Sequence, residues 1–567
     1  MIVLAAPRPN DRRVADQRHS LVATAQVRLM ILLLLFAAGV SIVLARLAYL
    51  GIVADPAGGA SGAVAGLARG DIVDRHGATL ARTIDAWSIG VHPEKVIGDK
   101  AELARRLAEL MPEHSAAYYH NKLTLDTSFT YLRHRALPEL VTQVNALGEP
   151  GIAFAREPER LYPQTTLAAH ALGIVDFDGR GVRGIERYLN DRLTNPALNS
   201  ESVALSIDLR VQGALESELG SAMATFQARG AAGLILDVAT GEVMAMTSLP
   251  SFNPNKAKGG EDELRNNVTQ SVYELGSTFK PLTMAEAIET GVVPSMSKRF
   301  DATAPIQIGR FRIRDDHAQN RWLNVPETLV HSSNIATARI ADEMGQARME
   351  HLFRKLGFDT APDIEIEKSG TIWPANWGRS STLTTSYGHG IAITPLHLAS
   401  AYAAMVNGGI WRPATLLKVE PGKAPAGRRV FSESTSARMR QLLRLVVLEG
   451  TGRKGDAPGF RIGAKTGTGE RPDAGGYNKR VNVSTFAAAF PMDAPRYVVV
   501  AMLDSPIGTA DTFGFTTAAW NAAPVVSRLV MRAGPMLGVI PDMNRDIDVS
   551  ELEPLLWKAP GDRKAAH

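Results

Sequence analysis

Cysteine is absent from the 567 residues, so no disulfide, thiolate metal site or cysteine nucleophile can form. A dominant charge is also lacking, with 62 Lys and Arg against 58 Asp and Glu and a net charge of only +4. No basic patch interleaved with aromatics occurs, so no nucleic acid is expected as a partner. Metal-ligand clusters are missing too. His331 and His389 have no acidic residue at ligand spacing, and Asp315-Asp316-His317 lies within one loop, which reads as a solvated turn or a groove rim. No metal and no cofactor is therefore expected, and no internal repeat is found.

What is present begins with one apolar run. Leu29 to Ala45 carries no charge, and extension to Leu50 makes a helix of ~33 Å, enough to cross a bilayer core. Arg46 and Tyr49 suit the interface. Arg8, Arg12, Arg13, Arg18 and Arg28 precede the run against Asp11 and Asp16, so the tail is expected in the cytoplasm and the rest outside. A cleaved signal peptide is the alternative, since Ala54 and the small residues 57–60 follow; the length of the run favours a retained anchor.

Three motifs then stand in order: Ser277-Thr278-Phe279-Lys280, Ser332-Ser333-Asn334 and Lys465-Thr466-Gly467-Thr468. Each has decoys, at Ser295-Met296-Ser297-Lys298, Ser251-Phe252-Asn253 and Lys368-Ser369-Gly370, so only the ordered triple is informative. A serine hydroxyl is a weak nucleophile and needs a base as it attacks. Lys280, three residues after Ser277, shares its helix face one turn on. Gly276, Thr278 and Pro281 suit a helix start, with the helix running to Glu289 and stopping at Gly291. Ser277 is thus expected at the positive end of a helix, with a desolvated, neutral Lys280 as proton acceptor. Ser295, by contrast, follows Gly291-Val292-Val293-Pro294 and is expected on a loop.

Lys465 lies before two strand-like runs, Val483–Phe490 and Arg496–Leu503, which read as an antiparallel meander. On its edge, Lys465, Thr466 and Thr468 can hold a carboxylate, and Gly467 lets a substrate backbone approach.

The triple, with Ser333 where the general S-D-N pattern has Asp, resembles that of class B penicillin-binding proteins, and more narrowly the division-specific, FtsI-type peptidoglycan transpeptidases. The resemblance runs from about Val27 to Val530 and includes Arg69-Gly70-Asp71-Ile72-Val73-Asp74-Arg75-His76-Gly77, with His76 where the family more often has Asn. It also includes Gly181-Val182-Arg183-Gly184-Ile185-Glu186 and Tyr387-Gly388-His389-Gly390 to Thr394-Pro395-Leu396. The septal assignment rests on Tyr273-Glu274-Leu275-Gly276 and on Asp315-Asp316-His317 to Arg321-Trp322.

The resemblance implies a multidomain α+β protein: a transmembrane helix, a mixed α/β pedestal, and a transpeptidase domain with an antiparallel sheet flanked by helices. Expected bounds are 1–28 for the cytoplasmic tail, 29–50 for the membrane helix, 51–68 for an Ala/Gly-rich linker, 69–226 for the pedestal, 227–535 for the transpeptidase domain and 536–567 for a loose tail. Within these, strands are expected at Ile72–Asp74 and Trp87–Val91, a helix at Ala101–Leu110, and a hairpin around Ala239-Thr240-Gly241.

It further implies an inner-membrane protein with a periplasmic catalytic domain, acting on stem peptides of lipid II-derived strands that end in D-Ala-D-Ala. Ser277 would attack the penultimate carbonyl, with the N–H groups of Ser277 and Thr468 holding the oxyanion. Ser332 would relay the proton with Lys280, Asn334 would orient Lys280 and the substrate amide, and Lys465, Thr466 and Thr468 would bind the carboxylate. An amine from a neighbouring strand would complete the crosslink, and β-lactams would acylate the same serine. A septal SEDS-family glycosyltransferase and other division proteins are implied partners. Competing readings are a β-lactamase or D,D-carboxypeptidase, in which water resolves the acyl-enzyme, and a non-catalytic division scaffold.

Overall fold

The computed structural model describes residues 27–44, 69–256, 259–309, 311–473 and 476–557. Helix α1, Val27–Leu44, is long and apolar enough to cross a membrane, and its side chains are exposed. The expected continuation to Leu50, the linker at 51–68 and most of the tail at 1–28 lie outside the described residues.

The pedestal opens with the Arg69–Gly77 motif. Strand β1 (Ile72–Val73) pairs antiparallel with β2 (Thr79–Ile84), and Asp74 makes the turn by accepting from His76 N and Ala78 N, both at 2.8 Å. Strand β3 (Trp87–Val91) lies between β4 (Thr130–Ala136) and β5 (Ile152–Arg156) in a second sheet. Helix α2 (Lys100–Leu110) starts at Asp99, whose side chain accepts from Ala101 N. With α3 (Ala116–Leu123) and α4 (Pro138–Asn145) it covers one face of that sheet, burying Ile89, Val91, Leu107, Tyr119 and Leu132.

Strand β6 (Glu159–Leu161) pairs with β2, and β1 pairs in parallel with β7 (Val203–Ala204). Two of the stretches quoted above, Arg69–Gly77 and Gly181–Glu186, meet here. Arg69 Nε and Arg160 Nε donate to opposite oxygens of the fully buried Glu186, at 2.6 and 2.7 Å. A charge removed from water is tolerated only when it is paired in this way. Arg75 Nη1 donates to the Ser206 carbonyl at 3.0 Å and Lys418 Nζ to the Arg75 carbonyl at 2.8 Å, so the motif also fastens the pedestal to the catalytic domain.

Helix α5 (Leu209–Thr225) leads into the catalytic sheet. Strands β8 (Gly230–Asp237) and β9 (Val243–Leu249) form the expected hairpin; Gly241 has φ +79° and Asp237 Oδ1 accepts from Ala239 N and Thr240 N. The remaining strands are β10 (Gly463–Asp473), β11 (Gly476–Phe490) and β12 (Tyr497–Asp504), and the order β10-β11-β12-β8-β9 is antiparallel throughout.

Both faces of this sheet are buried, which explains why β12 is apolar at every position from Val498 to Leu503 rather than at alternate ones. Val498, Val500 and Met502 pack toward α9 (Pro395–Val406), while Val499, Ala501 and Leu503 pack toward α5 and α10 (Ala522–Met536). Each of the valine, methionine and leucine side chains among these contributes about 1.5–3 kcal/mol. The sheet stops at β10 on the side of the three motifs.

The C-terminal segment departs from the expected loose tail. Val549 and Leu552 are buried, Asp546 accepts a forked pair from Arg444 at 2.6–3.0 Å, and Trp557 N donates to Glu327 at 2.9 Å. Its charges read as a solvated tail because their partners lie about a hundred or more residues away.

Candidate active site

Ser277 sits in a single 3-10 turn, Gly276–Phe279, and α6 (Lys280–Glu289) begins at the lysine itself. The sequence expectation of a helix start is met with a tighter first turn, and Pro281 occupies the helix's second position, inside its first turn. Gly276 has φ +55°, and a Cβ there would lie 2.5 Å from the Thr468 carbonyl. Gly388, from the Tyr387–Gly390 stretch, presses on the same turn, since its Cβ would meet the Gly276 carbonyl at 2.3 Å. The turn is held from below by Tyr402 Oη, which donates to the Thr278 carbonyl at 2.8 Å.

Lys280 is fully buried. Its Nζ donates to Ser332 Oγ at 3.1 Å and also to the Ser332 carbonyl. Burial pushes its pKa down to about 7, against an opposing pull from Asp315 and Asp316. Ser332 has φ +57°, a conformation rare for a residue with a side chain, placed between α7 (Val325–Val330) and α8 (Asn334–Met344).

Lys465 Nζ reaches the same hydroxyl, donating to Ser332 Oγ at 2.9 Å and to the Thr466 carbonyl at 3.1 Å. It too is fully buried, and burial followed by repulsion from Lys280 holds its pKa well below the usual lysine range. Sequence reasoning placed Lys465 on an open edge as an anion anchor. The structure turns it inward onto Ser332, leaving half-exposed Thr468 on the rim; Thr466 Oγ1 is engaged by Thr451 Oγ1 at 2.7 Å.

A Cβ on Gly467 would come within 2.4 Å of the Leu275 carbonyl and 2.7 Å of Thr278 Cγ2, so the glycine also admits the close approach of the Gly276–Phe279 turn.

Ser333 caps α8 by accepting from Ala336 N, and its hydroxyl donates to Asp315 Oδ2 at 2.8 Å. Asp315 Oδ1 accepts from Ile335 N at 2.9 Å. Asp315, taken from sequence as a groove rim, thus fastens the second motif; nothing in its local sequence signals a partner eighteen residues on. The Asn334 side-chain nitrogen donates to the Arg314 carbonyl at 2.8 Å.

The decoys stay apart from this cluster. Ser295 is exposed on a turn with Lys298 bound to the Val292 carbonyl and Glu343, Ser251 donates to the Thr166 carbonyl, and Lys368 to the Ile364 carbonyl. His331 is half-buried beside Arg321 Nη2 at 3.3 Å, and burial lowers its pKa. His389 meets Glu274 across the fold at 3.3 Å.

A serine at a helix entrance, two buried amines converging on a second serine, and an edge strand beside them define a serine acyl-transfer site on a penicillin-recognising fold. The penicillin-binding protein transpeptidase domain matches residues 231–524, and the penicillin-binding protein dimerisation domain matches residues 66–195. The chain belongs to the class B, FtsI-type branch of the penicillin-binding protein transpeptidase family. It is 41% identical, over 83% of its length and 82% of the relative's, to the probable peptidoglycan D,D-transpeptidase FtsI of Caulobacter vibrioides. It is 31% identical to the peptidoglycan D,D-transpeptidase FtsI of Escherichia coli, over 77% of this chain and 79% of that one. Among solved structures it is similar to penicillin binding protein 3 of Mycobacterium tuberculosis complexed with aztreonam, with 25% identity, TM-score 0.66, and coverage of 84% of this chain and 97% of that one.

Proposed function

We propose that this chain is a peptidoglycan D,D-transpeptidase that crosslinks stem peptides in septal wall synthesis and is acylated by β-lactams. The observation that carries the reading is the fully buried Lys280, one turn after Ser277, with its amine on Ser332 and its pKa brought to about 7. An amine near neutrality is matched to taking a serine proton at physiological pH.

In this reading Ser277 attacks the penultimate carbonyl of a D-Ala-D-Ala donor, and its N–H together with that of Thr468 receives the oxyanion. Lys280 takes the serine proton, and Ser332 passes it to the departing D-Ala amine. Lys465 stands behind Ser332, and Thr468 on the rim is nearest the substrate carboxylate, with Thr466 behind it in the grip of Thr451. Asn334 lines the cleft. The acyl group then passes to an amine of a neighbouring strand, a single bond exchange that leaves the serine free. Residues 69–226 serve as the pedestal and 227–535 as the transpeptidase domain. Helix α1 is a single-pass anchor with its arginine-rich flank in the cytoplasm and the catalytic domain outside, beside a SEDS-family glycosyltransferase and other division proteins.

The test is covalent labelling by a fluorescent penicillin, read by intact-protein mass. Ser277→Ala should carry no adduct and Ser295→Ala should label as the parent does. An adduct on Ser295, or rapid repeated penicillin hydrolysis by the parent, would overturn the reading.

A further inference from the structure

The pedestal sheet has one face covered by α2, α3 and α4, and its other face carries aromatic rings that the core does not need. Phe129, Tyr131 and Phe177 are 37%, 46% and 64% exposed. They form a continuous row with two histidines: His92 to Phe129 at 5.1 Å, Phe129 to Tyr131 at 4.9 Å, Tyr131 to His134 at 4.2 Å, and His134 to Phe177 at 5.1 Å between centroids. A bulge builds this row. Gly90 pairs with Tyr131 but Ile89 with Arg133, so Leu132 is the extra residue; it turns into the core and His134 falls on the side of Tyr131. Gly90 leaves room for the Phe129 ring, which lies where a Cβ would be.

Beside the row, between α3 and β4, runs a cleft of about 630 Å³. Tyr131 and His134 line one wall, and Tyr118, stacked on His114 at 4.0 Å, lines the other. Two cations also line it: Lys122, 5.7 Å over the Tyr118 ring, and Arg133, paired with Glu113 at 2.6 Å. Cations thus outnumber the single carboxylate among its lining residues.

We propose that this cleft and its ring row bind a glycan strand of peptidoglycan, so that the pedestal holds polymer while the distant serine acts. This rests on the reading that peptidoglycan is the substrate. The faces of aromatic rings are electron-rich and attract the C–H faces of pyranose rings, and a row of rings suits a polymer of them. Stem peptides bring carboxylates, which complement Lys122 and Arg133. Rings interleaved with histidines and cations fit a polar polymer better than the apolar centre expected of a tight protein interface.

The test is co-sedimentation of the full-length protein in detergent with protease-treated sacculi, after Ser277 has been acylated by penicillin so that the catalytic cleft cannot contribute. Tyr131→Ala and Lys122→Glu should each lower the bound fraction about fivefold, one lost stacking or charge-assisted contact. Tyr131→Phe, which keeps the ring, should bind as the parent does. On glycan stripped of stem peptides by an amidase, the Tyr131→Ala loss should persist and the Lys122→Glu loss should vanish. Penicillin labelling should be unchanged in all variants, which separates a failure here from a failure of the transpeptidase reading. Variants that sediment like the parent, or binding that disappears once the sacculi are protease-treated, would overturn the proposal, the latter in favour of a protein partner.

Discussion

At Ser332 one hydroxyl receives two amines, Lys280 at 3.1 Å and Lys465 at 2.9 Å, and a hydroxyl has two lone pairs and one proton. Both amines are buried, burial brings Lys280 to about 7, and repulsion from Lys280 adds to the lowering at Lys465, so the site sheds a proton near neutrality. Acylation should therefore climb with pH, about tenfold per unit on the acid limb, and level off above about 7, where Lys280 is neutral. Because the Asp315 charge raises the Lys280 pKa, Asp315→Asn should move that limb to lower pH; stopped-flow acylation by a penicillin from pH 5 to 9 reads both. A pH-independent rate would remove Lys280 as the base. The same burial sets a stability slope. The folded pKa lies below the unfolded 10.5, so the unfolded chain binds more protons between about pH 7 and 10.5, and this lysine's destabilising effect fades as pH rises through that window. The residue types and their order were legible in sequence. The inward turn of Lys465 and the anchoring of Ser333 by Asp315 were not, because both depend on partners that only the folded chain brings within 3 Å.

At the scale of elements, the meander was readable from aliphatic runs: the strand Gly476–Phe490 contains the first, and Tyr497–Asp504 contains the second except for Arg496 at its start. The extension of β11 back to Gly476 was not readable, since ladder pairing with β10 is made by backbone groups that any residue supplies. The edge strand is also where backbone meets backbone. Gly467→Ala would drive a Cβ against the Leu275 carbonyl and Thr278, and overpacking of this kind costs about 1–3 kcal/mol. Penicillin acylation should fall at least about tenfold, because the turn that carries Ser277 must give way and small misplacements are costly to catalysis. Thermal unfolding and labelling rates measured together check this; an unchanged rate would mean the strand and turn separate without consequence.

At the scale of the molecule, the C-terminal segment braces the second motif from outside. Asn324 Nδ2 donates to the Leu555 carbonyl at 2.5 Å, Arg321 lies over the Trp557 ring at 5.1 Å, and both residues precede the helix that delivers Ser332. Deleting residues 538–567 would also strip Arg444, nearly buried, of Asp546. We expect a melting temperature lower by roughly 5 °C or more, with slower acylation and an intact acid limb. Calorimetry and labelling of the truncated protein decide it, and a variant indistinguishable from the parent would reduce the strap to packing.

The sequence by itself determined the chemistry, the anchor candidate and the sheet, because each is written in local terms: residue types three apart, an uncharged run, and aliphatic stretches between breakers. Tertiary structure alone decided which lysine faces which serine, that Glu186 pairs two arginines, that a charged tail is a strap, and that a bulge aligns a row of rings on the pedestal. These depend on contacts between residues far apart in the chain, or on register, and neither hydrophobic period nor local propensity carries that information.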